Sequence, residues 1–238
     1  MLASFSPKMF AQSISIATVN VGNRGFYDER GTKQGSSYEI LNRIVKEAGF
    51  SYENEFMPFG RVLGYLGTGQ VELSLLVPNE TVNRVATPFF HIQDVDFIIV
   101  GLKDFPIERI QDIQGKRVGY LRLSPTANIF FNGLNIEKVQ GGKYTRLIKM
   151  LMRDRIDVIF GPKSSILGGL RALNYSSDDL LGTSLSIRKQ EMHLVYSKRV
   201  ADESIIASLI SSAEQLKRDN TIQNIIDKYE QAIEIVVD

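Results

Sequence analysis

The stretch GQVELSLLVPNETVNRVATP, residues 69–88, decides how the rest of the chain is read. Gly69-Gln70 marks a turn, Val71 to Val77 is a short apolar run, and Pro78 breaks it. An apolar run of this length between Gly and Pro predicts a strand buried on both faces. Pro-Asn-Glu-Thr after it predicts a strand-to-helix corner, with free backbone amides and the Thr81 hydroxyl facing outward. In open α/β sheets ligands sit beyond the carboxyl ends of strands, so this corner is an expected binding position. Arg84 follows three residues after Thr81, where its planar fork can grip an anion. The fragment alone is equally compatible with a surface Arg near a helix end.

Outward from this stretch the chain alternates strands and helices. Upstream lie a strand at Ile14–Val21, the polar loop GNRGFYDERGTKQG, and an amphipathic helix from about Ser37 to Ala48. A second strand near Ser51–Phe56 and a short helix with Val62, Leu63 and Leu66 inward complete this part. Downstream, Phe97–Val100 reads as a strand ending at a hinge-like Gly101-Leu-Lys-Asp. A second α/β block then runs through the strand KRVGYL (116–121), a helix opened by Ser124-Pro125, a helix at 144–153, the strand IDVIFG (156–161) and a helix at 164–173. A sheet-like segment at Leu181–Ile187, a strand at Met192–Lys198 and two helices, near 201–218 and 221–232, close the chain. Two blocks with crossings near Val100–Lys103 and Thr183–Gln190 predict two lobes, the first built from both ends of the chain, that open and close about the connecting strands. The expected division is 14–100 with 189–238 for lobe 1 and 101–188 for lobe 2, preceded by residues 1–13.

Composition narrows the function. The chain has 238 residues, 43% of them hydrophobic, ample for one large domain or two smaller ones with real cores. With 28 Lys+Arg against 27 Asp+Glu there is no basic excess of the kind a nucleic-acid binder carries. The absence of Cys excludes thiol catalysis, cysteine zinc sites and disulfides. His91 and His193 lie far apart and show no metal-ligand spacing, so no metal and no cofactor is expected. No apolar run approaches the ~20 residues that span a bilayer. Phe10-Ala11-Gln12-Ser13 has the small residues of a signal-peptidase site, and residues 1–13 are read as the remnant of an export signal or a tail.

Taken in order, these segments resemble the type 2 periplasmic solute-binding proteins, specifically the extracellular solute-binding family 3 that serves polar amino acid uptake and related sensing domains. GSSYEIL (35–41) is similar to the family's helix entry, and LGTGQVEL to its L-x-x-G-x-x-D with Glu72 for Asp. TVNR (81–84) matches T-P-E-R, IQDIQGKRVGY matches L-x-D-L-x-G-K-x-V-G-V, and Arg218–Tyr229 matches the closing helix. The resemblance covers Ile14 to Tyr229. It implies a two-lobed α/β fold, each lobe a mixed sheet flanked by helices, with two hinge crossings. It further implies a periplasmic, monomeric receptor that captures a small molecule and delivers it to the membrane permease of an ABC transporter.

The same resemblance supplies site positions. Arg84 falls where the family pairs the ligand's carboxylate, Asn79 and Thr81 at the strand corner, and Phe59 on a packing aromatic. Ser124 falls at the hydroxyl and helix N-terminus that meet the same carboxylate. Asn23, Arg24 and Phe26 come from the loop after the first strand, and Gly161 ends a strand. Pro162 stands where amino-acid binders commonly hold an Asp for the ligand's ammonium, and Pro can neither accept that charge nor donate an amide. With Arg24, Arg61 and Arg122 as added cations, this points to an anionic or carboxylate-bearing solute. A sensory module with the same site is the second reading. A dehydratase-like enzyme is the third, disfavoured because only Glu39 or Glu80 is offered as a general acid.

Overall fold

The computed structural model describes residues 13–122, 127 and 130–231. Its centre is one eight-stranded mixed sheet, built because the chain's Val/Ile/Leu runs are covered on both faces by helices. The first strand, β1 (Ser13–Val19), pairs in parallel with β4 (Ser51–Met57) on one side and β5 (Leu73–Leu76) on the other. A two-stranded ribbon, β2 (Phe26–Tyr27) with β3 (Lys33–Gln34), lies between β1 and α1 (Ser36–Glu47). The α1 face carrying Ile40, Leu41, Ile44 and Val45 is fully buried, as the helical spacing of these residues predicts.

Helix α2 (Phe59–Thr68) ends at Gly69 in the left-handed conformation, and β5 runs into α3 (Glu80–Val85) through the expected corner. Asn79 caps α3: its Oδ1 accepts from the Thr81 and Val82 amides at 2.9 and 3.1 Å. Val62, Leu66, Val82 and Val195 form a core on this face of the sheet, while Ile40, Ile44, Leu73 and Leu209 belong to the core on the other.

Two long strands join the halves. β6 (Ala86–Gly101) and β10 (Leu185–Ser197) pair antiparallel over nearly their whole length, with three register irregularities. Beyond β6 lie β9 (Val158–Pro162), β7 (Arg117–Leu121) and the edge strand β8 (Glu137–Gly141), giving the order β4-β1-β5-β10-β6-β9-β7-β8. Helices α4 (Tyr144–Leu151) and α5 (Lys163–Arg171) pack Leu147, Ile148, Ile166 and Leu170 against Ile98, Val100 and Ile159. A one-turn α6 (Ser177–Leu180) precedes β10, and α7 (Glu203–Arg218) and α8 (Thr221–Gln231) return to pack on α1.

The expected two-lobed mixed α/β fold is present, and its two halves share a continuous sheet. Several expected bounds move. The strand read at Phe97–Val100 begins at Ala86, and the segments read at Leu181–Ile187 and Met192–Lys198 are one strand. Ser124 and the helix it opens lie outside the described residues, as do residues 1–12; Ser13 is already paired with Ser51 in β1.

Candidate functional site

Beyond the carboxyl end of β1 the chain turns through Gly22, at φ +54°, a left-handed conformation that favours glycine. The loop here is pressed onto α5: a Cβ on Gly22 would stand 2.6 Å from the Cα of Ser165, and one on Gly168 would stand 2.7 Å from the Asn23 amide nitrogen. Two glycines from opposite halves thus permit backbone-to-backbone contact. The next two residues satisfy the start of α1, whose first amides have no intrahelical acceptor. Ser36 N–H donates to the Asn23 carbonyl at 2.9 Å and Tyr38 N–H to the Arg24 carbonyl at 3.3 Å.

With its backbone so fixed, Arg24 sends its side chain into the junction of the halves. Its Nη1 reaches Met192 Sδ at 3.4 Å. Nε and Nη2 are shielded from solvent and have no hydrogen-bond partner among the described residues, although the residue as a whole keeps some surface contact. Burial lowers the guanidinium to about 10, with Tyr144 and Glu230 opposing the shift, so the group remains a cation at neutral pH. Asn23 Oδ1 and Ser165 Oγ, where the loop meets α5, and Ser37 Oγ in the first turn of α1 also lack partners among the described residues, on residues at most 3% exposed; none of the three lines the cleft onto which Arg24 opens. Asn23 Nδ2 is engaged, donating to the Tyr229 carbonyl at 3.2 Å.

Arg24 opens on a cleft of about 930 Å³. Residues 93–100 of β6 form its floor, α5 and the segment after it one wall, and Asp227 and Glu230 of α8 the other. Arg171, at the end of α5, also lines it; its Nε and Nη2 are again solvent-shielded and unpartnered, and burial lowers its pKa. Burial raises the Glu230 carboxyl, reinforced by Asp227 and opposed by Lys163 and Arg24. Buried Tyr144, at the start of α4, is pushed well above the ordinary phenol value by its surroundings.

The positions named from sequence separate into two groups. Asn23 and Arg24 stand at this junction. Phe26 packs edge-on against Tyr229, ring centroids 6.1 Å apart, next to it. Gly161 lies under the Tyr144 ring, which leaves no room for a Cβ. Phe59, Asn79, Thr81 and Arg84 form a separate corner at the end of β5 and are not among the residues lining the cleft. Arg84 there is 67% exposed and pairs with Glu80 at 3.7 Å, one helical turn away. Arg61 and Arg122 are solvent-facing. Sequence reading passed over Ser165, Arg171, Tyr144 and Glu230. The i, i+4 spacing of Lys163, Leu167 and Arg171 on α5 was the available signal for a charged-ended face turned to a cleft.

His91 and His193, distant in sequence, are direct cross-strand neighbours in β6 and β10, ring centroids 5.5 Å apart. Each holds a carboxylate by its Nε2: Asp94 at 3.0 Å and Glu191 at 2.9 Å. Among the described residues no group of three or more His, Asp or Glu is arranged to hold a metal ion, and no helix is long and apolar enough to cross a membrane.

No protein-family model matches the chain. The amino-acid-binding protein AabA of Dichelobacter nodosus is 24% identical over 222 residues, covering 86% of this chain and 82% of its own. Among solved structures, a mutant of ArgBP from T. maritima aligns with a TM-score of 0.78 at 20% identity, covering 92% of this chain and 95% of the other. A histidine kinase sensor domain with similarity to periplasmic binding proteins aligns at 0.78 and 16% identity, covering 92% and 96%. The substrate binding protein of an amino acid ABC transporter aligns at 0.75 and 16%, covering 91% and 98%. These structures share the fold along its length. With the AabA relationship, they bear out the resemblance to the type 2 solute-binding proteins of family 3.

Proposed function

We propose that this protein is an extracytoplasmic receptor that captures a small carboxylate-bearing solute between its two halves and delivers it to the permease of an ABC transporter. The observation that carries this reading is the Arg24 guanidinium, which lines the cleft, beside the contact where Asn23 and Ser165, each with an unpartnered polar atom among the described residues, bring the two halves together. Buried polar groups are normally hydrogen-bonded, and a cluster that is not is suited to an incoming polar molecule. A guanidinium among them selects for an anion.

The relative and the solved neighbours are binding proteins by name, which supports a receptor over an enzyme. The exposed corner at Phe59, Asn79, Thr81 and Arg84 is assigned as a second contact zone, where a solvent-facing guanidinium steers an anion inward more than it holds one. The proposed lobes are 14–100 with 189–238, and 101–188; the proposed setting is periplasmic and the receptor acts as a monomer. One neighbour favours a second reading: a kinase sensor domain matches as well as the transport proteins do, so the same cleft could report a solute to a signalling partner.

A thermal-shift screen over amino acids, organic acids, amines and sugars tests the reading. A solute bearing a carboxylate is expected to raise the melting temperature by several degrees at millimolar concentration, as selective binding to the folded state requires. A panel in which no carboxylate stabilises the protein would overturn it.

A further inference from the structure

We propose that Tyr229 and Glu39 are positioning residues, forming a clasp between the end of α8 and the start of α1 that sets the Arg24 guanidinium at the cleft. This rests on the receptor reading and adds to it what holds its central cation in place. Neither residue lines the cleft itself. They meet across 190 positions of chain: the Tyr229 hydroxyl donates to Glu39 Oε1, and Lys228 Nζ donates to the same oxygen at 2.7 Å. Gln34 Oε1 lies 3.0 Å from that hydroxyl. A phenol has one hydrogen to give, and the carboxylate is the stronger acceptor for it. Glu39, which the sequence offered as a general acid, is thereby engaged in the fold.

The clasp holds the loop on both sides of Arg24. Asn23 Nδ2 donates to the Tyr229 carbonyl at 3.2 Å, and the Phe26 ring packs edge-on against the Tyr229 ring. From the α1 side Gly35, at φ +133°, lets the helix start ride onto the loop: a Cβ there would stand 2.3 Å from the Arg24 carbonyl oxygen. The Arg24 side chain has one hydrogen bond of its own among the described residues, from Nη1 to Met192 Sδ, a weak acceptor. Its place is therefore set through the neighbours of its backbone. Helix α8 does not need this contact to dock. Ile222 and Ile226 anchor it in the large apolar core, whereas buried Tyr229 belongs to none of the three apolar clusters. The same turns of α8 bring Asp227 and Glu230 to the cleft, so the clasp also fixes Arg24 relative to that acidic wall.

Phenylglyoxal, which reacts with accessible guanidiniums, tests this without a solute. Labelling is followed residue by residue by mass spectrometry, with exposed Arg84 as internal standard. In the parent Arg24 is expected to react at least tenfold more slowly than Arg84. Tyr229→Phe keeps the ring and the carbonyl and removes only the hydroxyl; Glu39→Ala removes its acceptor. Each should speed Arg24 labelling threefold or more while leaving Arg171 labelling and the melting temperature close to the parent's. Glu39→Gln keeps an acceptor oxygen and should restore the parent rate, a rescue that general loosening would not give. Because both changes break one bond, the Tyr229→Phe, Glu39→Ala double variant should label Arg24 no faster than either single variant. Parent-like Arg24 labelling in both single variants, Arg171 labelling that rises in step with Arg24, or Glu39→Gln labelling as fast as Glu39→Ala would each overturn the clasp. The two readings fail separately. A thermal-shift panel with no stabilising carboxylate removes the receptor reading and leaves the clasp, and unchanged Arg24 labelling removes the clasp and leaves the receptor reading.

Discussion

Gly22 and Ser165, 143 positions apart in the numbering, meet backbone to backbone, with a Cβ on the glycine only 2.6 Å from the serine Cα. This contact joins the loop that presents Arg24 to the helix that ends in Arg171. An alanine at position 22 faces two penalties. The left-handed φ of +54° costs a non-glycine residue about 1 kcal/mol, and the added methyl has no space. Gly22→Ala is therefore expected to lower the melting temperature by a few degrees and to weaken solute binding at least tenfold by holding the halves apart. Parent-like values for both, by thermal denaturation and calorimetry, would show that the contact is dispensable.

A second prediction concerns pH. Arg117 on β7 clasps Asp157: Nη2 to Oδ1 at 2.7 Å, Nε to Oδ2 at 3.1 Å, and the Arg117 amide to Oδ2 at 2.7 Å. The Arg117 side chain holds the carboxyl below its ordinary value. A carboxyl whose folded pKa is depressed contributes stability above its unfolded pKa, near 4, and loses it as pH falls through the folded value. Asp157→Asn should thus lower stability at pH 7, by no more than about 1 kcal/mol because the pair is partly solvated. In urea titrations from pH 7 to pH 3 the gap between variant and parent should hold down to about pH 4 and narrow below it. A gap that stays constant across this range would mean that the ionised pair contributes nothing.

Much of the architecture was legible because buried strands and amphipathic helices write themselves locally. The 69–88 stretch showed β5 and its corner from Gly and Pro, whereas Asn79, read there as a ligand contact, caps the following helix. The early part of β6 was missed for a physical reason. Residues 86–96 have β10 on one side only, so Pro88, His91, Gln93 and Asp94 are tolerated there and mask a strand pattern. β8, with Glu137, Lys138 and Gln140 exposed, is a polar edge strand and equally quiet in sequence. The site was less legible than the fold. Asn23 and Arg24 were named from their loop, but nothing near them in sequence announces Ser165, which the loop meets only through the packing of α5, or Arg171, which lines the same cleft as Arg24. The pairing of His91 with His193 likewise exists only once β6 and β10 are laid side by side.

Arg84 separates motif from geometry. The family pattern makes it the carboxylate clamp, yet its side chain is 67% exposed and its ion pair with Glu80 spans 3.7 Å. Exposed pairs of this kind contribute little, and a solvated guanidinium gives up less on truncation than a shielded one. Arg84→Ala is expected to leave solute affinity within threefold while slowing association at low salt. Stopped-flow binding at two ionic strengths, with calorimetry, measures both. A loss of 30-fold or more in affinity would return the anchor to the β5 corner.

The capture of a solute between two halves is tested most directly by small-angle X-ray scattering with and without a solute that stabilises the protein. The account predicts a larger radius of gyration without solute, and at saturation a profile matching the arrangement described here, with Gly22 against Ser165. Superimposable profiles with and without a saturating solute would contradict it.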